Sequence, residues 1–226
     1  MALNRVWIPS PNYSSRGGTK VRLVVVHTAE GSRNFRDLGA FFANPASQVS
    51  SQTGIDDTPG QIGEYVKRDA KPWTQGNANP YSTATELCAF AKWDAAEWSR
   101  HPVMLDNCRQ WIAEECAYFG IPMVKLTAAQ AQGGQAGVCG HVDLGAAGGG
   151  HWDPGPDFPW SQVLGPSPIP PTPEDDLPLN DADKKFITDT VNQQLRSLFA
   201  PDAECFNRVV QADQKAIQQT PANVPK

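Results

Sequence analysis

Only four histidines occur in the 226-residue chain: His27, His101, His141 and His151. Three have marked surroundings. His27 ends the run VRLVVVH, residues 21–27. His141 and Asp143 stand in GHVD, residues 140–143. His151 and Asp153 open HWDPGP, which runs on into DFPW, ending at Trp160. Strand ends and Gly/Pro-rich loops are where a rigid scaffold holds functional side chains. Catalytic zinc takes three protein ligands, His or carboxylate, and keeps a fourth position open for water. His27, His141 and one group from the His151–Asp153 loop would make such a set. A metal held there would lower the pKa of its water and polarise a carbonyl. On spacing alone, three histidines near glycines also read as ordinary loop residues. His101, before Pro102 in a polar stretch, reads as a surface residue or helix cap. Cys139 reads as a small buried side chain. The glycine-rich run from Gly145 to Gly150 lacks a following Lys-Ser/Thr, so it is expected as a flexible loop rather than a phosphate cradle. Asp143 either orients a ligand or caps a helix.

These groups need elements to hold them. Val21 to His27 is the clearest strand, a β-branched run suited to burial on both faces. Phe35, Leu38, Phe41 and Phe42 recur at helical spacing within Arg33 to Ala43. Gln48 to Ile55 and Gln61 to Val66 read as short strands around the turn at Asp56–Gly60. Thr83 to Phe90 reads as another strand. Ala95 to Phe119 carries one long helical pattern, with Val103, Leu105, Cys108, Ile112 and Cys116, and stops at Gly120. Alternating strands and helices point to an α/β layered domain over residues 1–165.

Six prolines among the fourteen residues 165–178 mark an extended linker, placed at residues 166–178. Residues 179–226 form a separate tail. In it Ile187, Val191, Leu195 and Leu198 make one apolar stripe on a helix expected from about Asp181 to Phe199. One such helix cannot bury its stripe alone. Homo-oligomerisation through it, or attachment to a partner, is the expectation.

A net charge of -5 argues against a binder driven by phosphate neutralisation, so no nucleic-acid partner is expected. The longest apolar run is far short of the roughly 20 residues a membrane span needs, so no membrane insertion is expected. The N-terminus shows no secretory signal, so synthesis in the cytoplasm is expected. Five cysteines, Cys88, Cys108, Cys116, Cys139 and Cys205, form no C-x-x-C pair and suggest neither a disulfide framework nor a thiolate cluster.

The ordered motifs VVVHTAEG, ATEL, GHVD and DPGPDFPW together resemble the zinc-dependent N-acetylmuramoyl-L-alanine amidases related to peptidoglycan recognition proteins. The resemblance covers about Val21 to Leu164. It implies a mixed central β-sheet flanked by helices. It implies Zn2+ held by His27, His141 and Asp153, with Glu86 as catalytic acid/base. It places Trp73 and Asn77, within WTQGN, along a substrate groove. Trp152, beside the third ligand, would wall the same groove, and Trp160 reads as core.

The sequence departs from the family pattern at informative positions. His151 stands two residues before the third ligand, where relatives often carry a Lys. An imidazole can also donate a hydrogen bond to an oxyanion. The alternative is His151 as ligand with Asp153 behind it. Thr74 and Gln52 stand where relatives often have His, which bears on substrate contacts. The resemblance implies a peptidoglycan hydrolase of phage endolysin type, acting on the cell wall after holin-mediated release. Glu86 would take the proton of a zinc-activated water and give it to the leaving amine of L-alanine. The alternatives are a muropeptide-recycling amidase, or a module that binds peptidoglycan without cutting it.

Overall fold

The computed structural model describes residues 3–31 and 34–165. The linker and the C-terminal helix expected from sequence lie outside the described residues, as does Arg33. The elements in chain order are β1 (Asn4–Trp7), β2 (Tyr13–Ser15), β3 (Leu23–Thr28), α1 (Phe35–Ala43), β4 (Thr53–Ile55), β5 (Gln61–Glu64) and β6 (Ala70–Pro72). There follow β7 (Ser82–Leu87), α2 (Ala95–Trp98), α3 (Pro102–Phe119), α4 (Ala128–Gln132), β8 (Gly137–Gly140) and α5 (Trp160–Leu164). Three stretches of 3-10 turn intervene, at Pro45–Ser47, Gly76–Tyr81 and His141–Gly148.

Six strands form one mixed sheet in the order β1-β5-β4-β7-β3-β8, and β2 pairs with β6 alone. Every neighbouring pair in the large sheet is parallel except β4 with β5. The expected α/β architecture with a mixed central sheet is therefore present. β3 is buried along its whole length, as its continuous apolar run requires. Alternation splits its side chains between two cores. Val24 and Val26 join Leu105, Cys108, Trp111 and Ile112 of α3. Leu23 and Val25 join Leu126, Ala131, Cys139 and Leu144 on the other face.

The helical pattern from Ala95 to Phe119 is two helices, not one. Proline lacks a backbone donor and is tolerated at a first helical position but not inside a helix. Pro102 accordingly opens α3 after a break at Ser99–His101. The stop at Gly120 is as expected: its φ of 65° is left-handed, and its N–H donates to Cys116 O. α1 starts at Phe35, with the Asn34 side chain accepting from the N–H groups of Arg36 and Asp37. The strands also start or stop within a few residues of their expected limits. β1, β2, β6 and β8 had no sequence expectation. β8 reads only Gly-Val-Cys-Gly and exists because it pairs with β3 from Leu23↔Gly137 to Val26↔Gly140.

No described helix is long and apolar enough to cross a membrane. Cys88, Cys108, Cys116 and Cys139 are free and buried.

Candidate functional site

Parallel pairing puts the carboxyl ends of β3, β7 and β8 on one edge of the sheet, where open α/β sheets present their ligand sites. His27 is the penultimate residue of β3, and Glu86 is its register partner on β7. His141 follows β8 immediately. Asp153 arrives from a separate loop, tied to that turn by Val142 N–H donating to Asp153 O at 2.9 Å. The loop is anchored downstream by Phe158, which is buried edge-on against Trp98 at 5.0 Å. Trp160 is half-buried on the same core, in accord with expectation.

The donors converge. His27 Nδ1 lies 3.2 Å from Asp153 Oδ2, and His141 Nδ1 lies 3.0 Å from Asp153 Oδ1. The three donor atoms all fall within 4.8 Å of one another. The outer nitrogens are engaged elsewhere. His141 Nε2 is 2.7 Å from Gly148 O, a carbonyl that only accepts. His27 Nε2 is 2.6 Å from Gln75 Oε1. Each imidazole thus meets an oxygen on its Nε2 side and faces Asp153 with its Nδ1.

Electrostatics agree with a site built for one positive charge. Burial holds His27 below the usual imidazole range, so it is neutral at neutral pH. Burial alone would raise Asp153, but its contacts with His141 and His27 outweigh that and hold it well below the usual carboxylate range. Two imidazole nitrogens this close to one carboxylate need a proton or a metal cation between them. A tetrahedral zinc with ligands at about 2.1 Å spaces its donors by roughly 3.4 Å, so this donor set fits zinc.

The Amidase_2 family, described as N-acetylmuramoyl-L-alanine amidase, matches residues 17–156. The chain belongs to this family. Among solved structures, the hydrolase AmiA of Staphylococcus aureus, crystallised with its ligand, superposes with a TM-score of 0.51. It is 21% identical, over 68% of this chain and 73% of that one. A selenomethionine derivative of AmpD gives the same TM-score and identity over 71% of this chain and 92% of that one. These likenesses establish a shared fold. No curated protein matches the sequence significantly.

In the amidase, Glu86 sits beside the donor set, its Oε1 3.9 Å from His27 Nδ1. Burial, with the charges of Asp153 and Glu30, pushes its carboxyl well above the usual range. His151 stacks on His141 with centroids 4.3 Å apart and planes 11° from parallel. Its Nδ1 is 3.9 Å from Asp153 Oδ1 and its side chain is 61% exposed. It therefore flanks the donor triad rather than entering it. A cavity of about 420 Å³ opens over these groups, walled by Phe41, Val49 and Trp73 and floored by His27, Glu86 and Asp153. A larger cavity, about 670 Å³, lies around Trp7, Tyr13 and Lys67 and contains none of them; size does not mark the chemistry here.

Several expected residues fall elsewhere. Asn77 is exposed on the 3-10 turn and outside the cavity lining. Its neighbour Asn79 shapes the loop instead, its Oδ1 accepting from the N–H groups of Thr74 and Gln75. Trp152 is 54% exposed and also outside the lining. Gln52 is buried and clamps backbone, accepting from Ala84 N–H, so it cannot touch substrate. Thr74 does line the cavity. The run from Gly145 to Gly150 is not an open loop: 3-10 turns extend through Gly148, and Gly148 O is the partner of His141. Asp143 holds that turn, accepting from Gly140 N–H and pairing with Lys125 at 2.7 Å. His101 lies away from the cavity, against Asp57 and Trp93. Gln75 had no sequence signal of its own, because a buried amide is chemically silent until its neighbours are known.

Proposed function

We propose that the amidase is a zinc-dependent peptidoglycan hydrolase that cuts the amide between the lactyl group of N-acetylmuramic acid and L-alanine of the stem peptide. The observation that carries this is the convergence of two imidazole Nδ1 atoms on one buried carboxylate, at 3.2 and 3.0 Å. His27, His141 and Asp153 are the ligands. Zinc held there supplies a Lewis acid for the amide carbonyl and a water of lowered pKa.

The chain's own residues do the rest. Glu86 takes a proton from the attacking water and hands it to the leaving amine of L-alanine. Its raised pKa suits a group that must both accept and donate near neutrality. His151 reaches over the carboxylate side of the triad and donates a hydrogen bond to the oxyanion. Trp73 offers an aromatic wall to the muramyl peptide.

The biological role we infer is that of an endolysin. A proline-rich linker and an appended segment suit an enzyme that must find an insoluble wall and do not suit one that trims soluble fragments. Zinc content of the purified protein, paired with release of L-alanine amino termini from intact sacculi and from soluble muropeptides, tests both levels. Stoichiometric zinc and new termini from sacculi are expected. Cleavage of soluble fragments alone would overturn the endolysin role and favour recycling. Wall binding without zinc or cleavage would leave a recognition module.

A further inference from the structure

Gln75 is fully buried in the loop between β6 and β7, and its amide spans from His27 to Ser82. Which end faces which neighbour is set by a third group. Ser82 Oγ lies 2.6 Å from Ala78 O, and a carbonyl accepts only, so the hydroxyl donates to it. Ser82 then offers Gln75 a lone pair, and Gln75 must answer with its NH2 group. The amide oxygen is left pointing at His27 Nε2, 2.6 Å away.

That orientation has a consequence for the metal reading, on which this inference rests. His27 has two neutral tautomers. With the proton on Nδ1, the ring would donate straight to Asp153 at 3.2 Å, a strong charge-assisted bond that closes the ligand position. With the proton on Nε2, the ring donates to Gln75 and Nδ1 is open. A reversed Gln75 amide would favour the closed form, and would strip Ala78 O or Gln75 of a partner in a buried place.

We propose that Gln75, locked by Ser82, is a positioning residue that selects the metal-accepting tautomer of His27. His141 achieves the same end through the backbone carbonyl of Gly148, which no side-chain replacement can remove. The two ligands are therefore set by different devices, and only that of His27 can be edited.

Zinc affinity, measured by chelator competition, is the readout, with wild type beside Gln75→Leu, Gln75→Glu and Ser82→Ala. Outer hydrogen-bond partners of ligating histidines are worth about 10- to 100-fold in metal affinity. Gln75→Leu should weaken zinc by that range. Gln75→Glu, which keeps an accepting oxygen towards His27, should lose less zinc affinity than Gln75→Leu. Ser82→Ala, which frees the amide to turn, should fall between them. Nitrogen-15 ring spectra of the metal-free wild type need no variant and should show His27 protonated on Nε2. Wild-type affinity in Gln75→Leu, or an Nδ1-protonated His27 in the metal-free protein, would overturn the proposal. If Gln75→Leu does not fold, Ser82→Ala and the wild-type spectra still decide it. A wild type that takes up no zinc would bring down the metal reading, and this proposal with it.

Discussion

His27 and Glu86 are register partners at the carboxyl ends of adjacent parallel strands, with Nδ1 and Oε1 3.9 Å apart. Side chains opposite each other on neighbouring strands point to the same face. One backbone pairing therefore sets a metal-ligand candidate beside a proton-transfer group, with no loop between them to adjust.

That closeness predicts separable defects. Glu86→Gln keeps the size and removes the base. Amide cleavage should fall by about 10²- to 10⁴-fold, the usual worth of a general acid/base. Zinc content should stay at the wild-type level. Loss of zinc together with activity would instead place Glu86 among the ligands.

Asp153→Ala should abolish stoichiometric zinc and with it the stabilisation that bound metal lends. A ligand at 100 times its Kd stabilises the folded state by about 2.7 kcal/mol. Wild type should therefore melt several degrees higher with zinc than with a chelator, and Asp153→Ala should show no such difference. A zinc-dependent shift surviving in the variant would refute Asp153 as a ligand.

His151 is set apart from the triad by its exposure and its stacking on His141. His151→Ala should retain zinc and lose roughly 10²-fold in kcat, the scale of one oxyanion donor. His151→Lys should recover much of it. Metal loss in His151→Ala would revive His151 as ligand, with Asp153 behind it.

The Asp153 loop depends on a close approach at Gly155. Its φ is 91°, and a Cβ there would collide with the backbone oxygen of Ala91. Neither atom is free to move away, since one is backbone and the other is fixed to it. Gly155→Ala should cost at least 2–3 kcal/mol by urea unfolding, the scale of backbone strain plus forced displacement. It should weaken zinc as well, because Asp153, the proposed ligand, is two residues away.

Alkaline pH should destabilise the chain through its cysteines. Burial pushes Cys116 and Cys139 up to about 12, and raises Cys88 and Cys108 as well. An unfolded thiol titrates near 8.5. Above that pH the unfolded state loses protons that the folded state keeps, so stability is full below about 8.5 and declines as pH rises. One unit higher, each thiol accounts for roughly 1.4 kcal/mol. Urea midpoints should drop steeply between about pH 8.5 and 10, and Cys108→Ala should make the slope shallower. A flat profile would show that these thiols ionise without unfolding.

The strand ending in His27, the stop at Gly120 and the ordered histidine motifs were legible in the sequence, because each is written in local residue types. A continuous β-branched run needs burial on both faces, and a glycine takes a left-handed φ at little cost. The break at Pro102 was equally local, but helical periodicity on both sides of it masked two helices as one. What the tertiary structure alone decided was who meets whom. β8 is two glycines, a valine and a cysteine, with little propensity of its own, and only the ladder with β3 makes it a strand. That ladder brings His141 beside His27, more than a hundred residues earlier in the chain. Asn77 and Trp152 stand close to functional residues in sequence and turn outward, while Gln75, two residues before Asn77, turns in. Local chemistry specifies which groups are capable. Long-range pairing, which no stretch of sequence encodes by itself, specifies which of them share a space of a few ångströms.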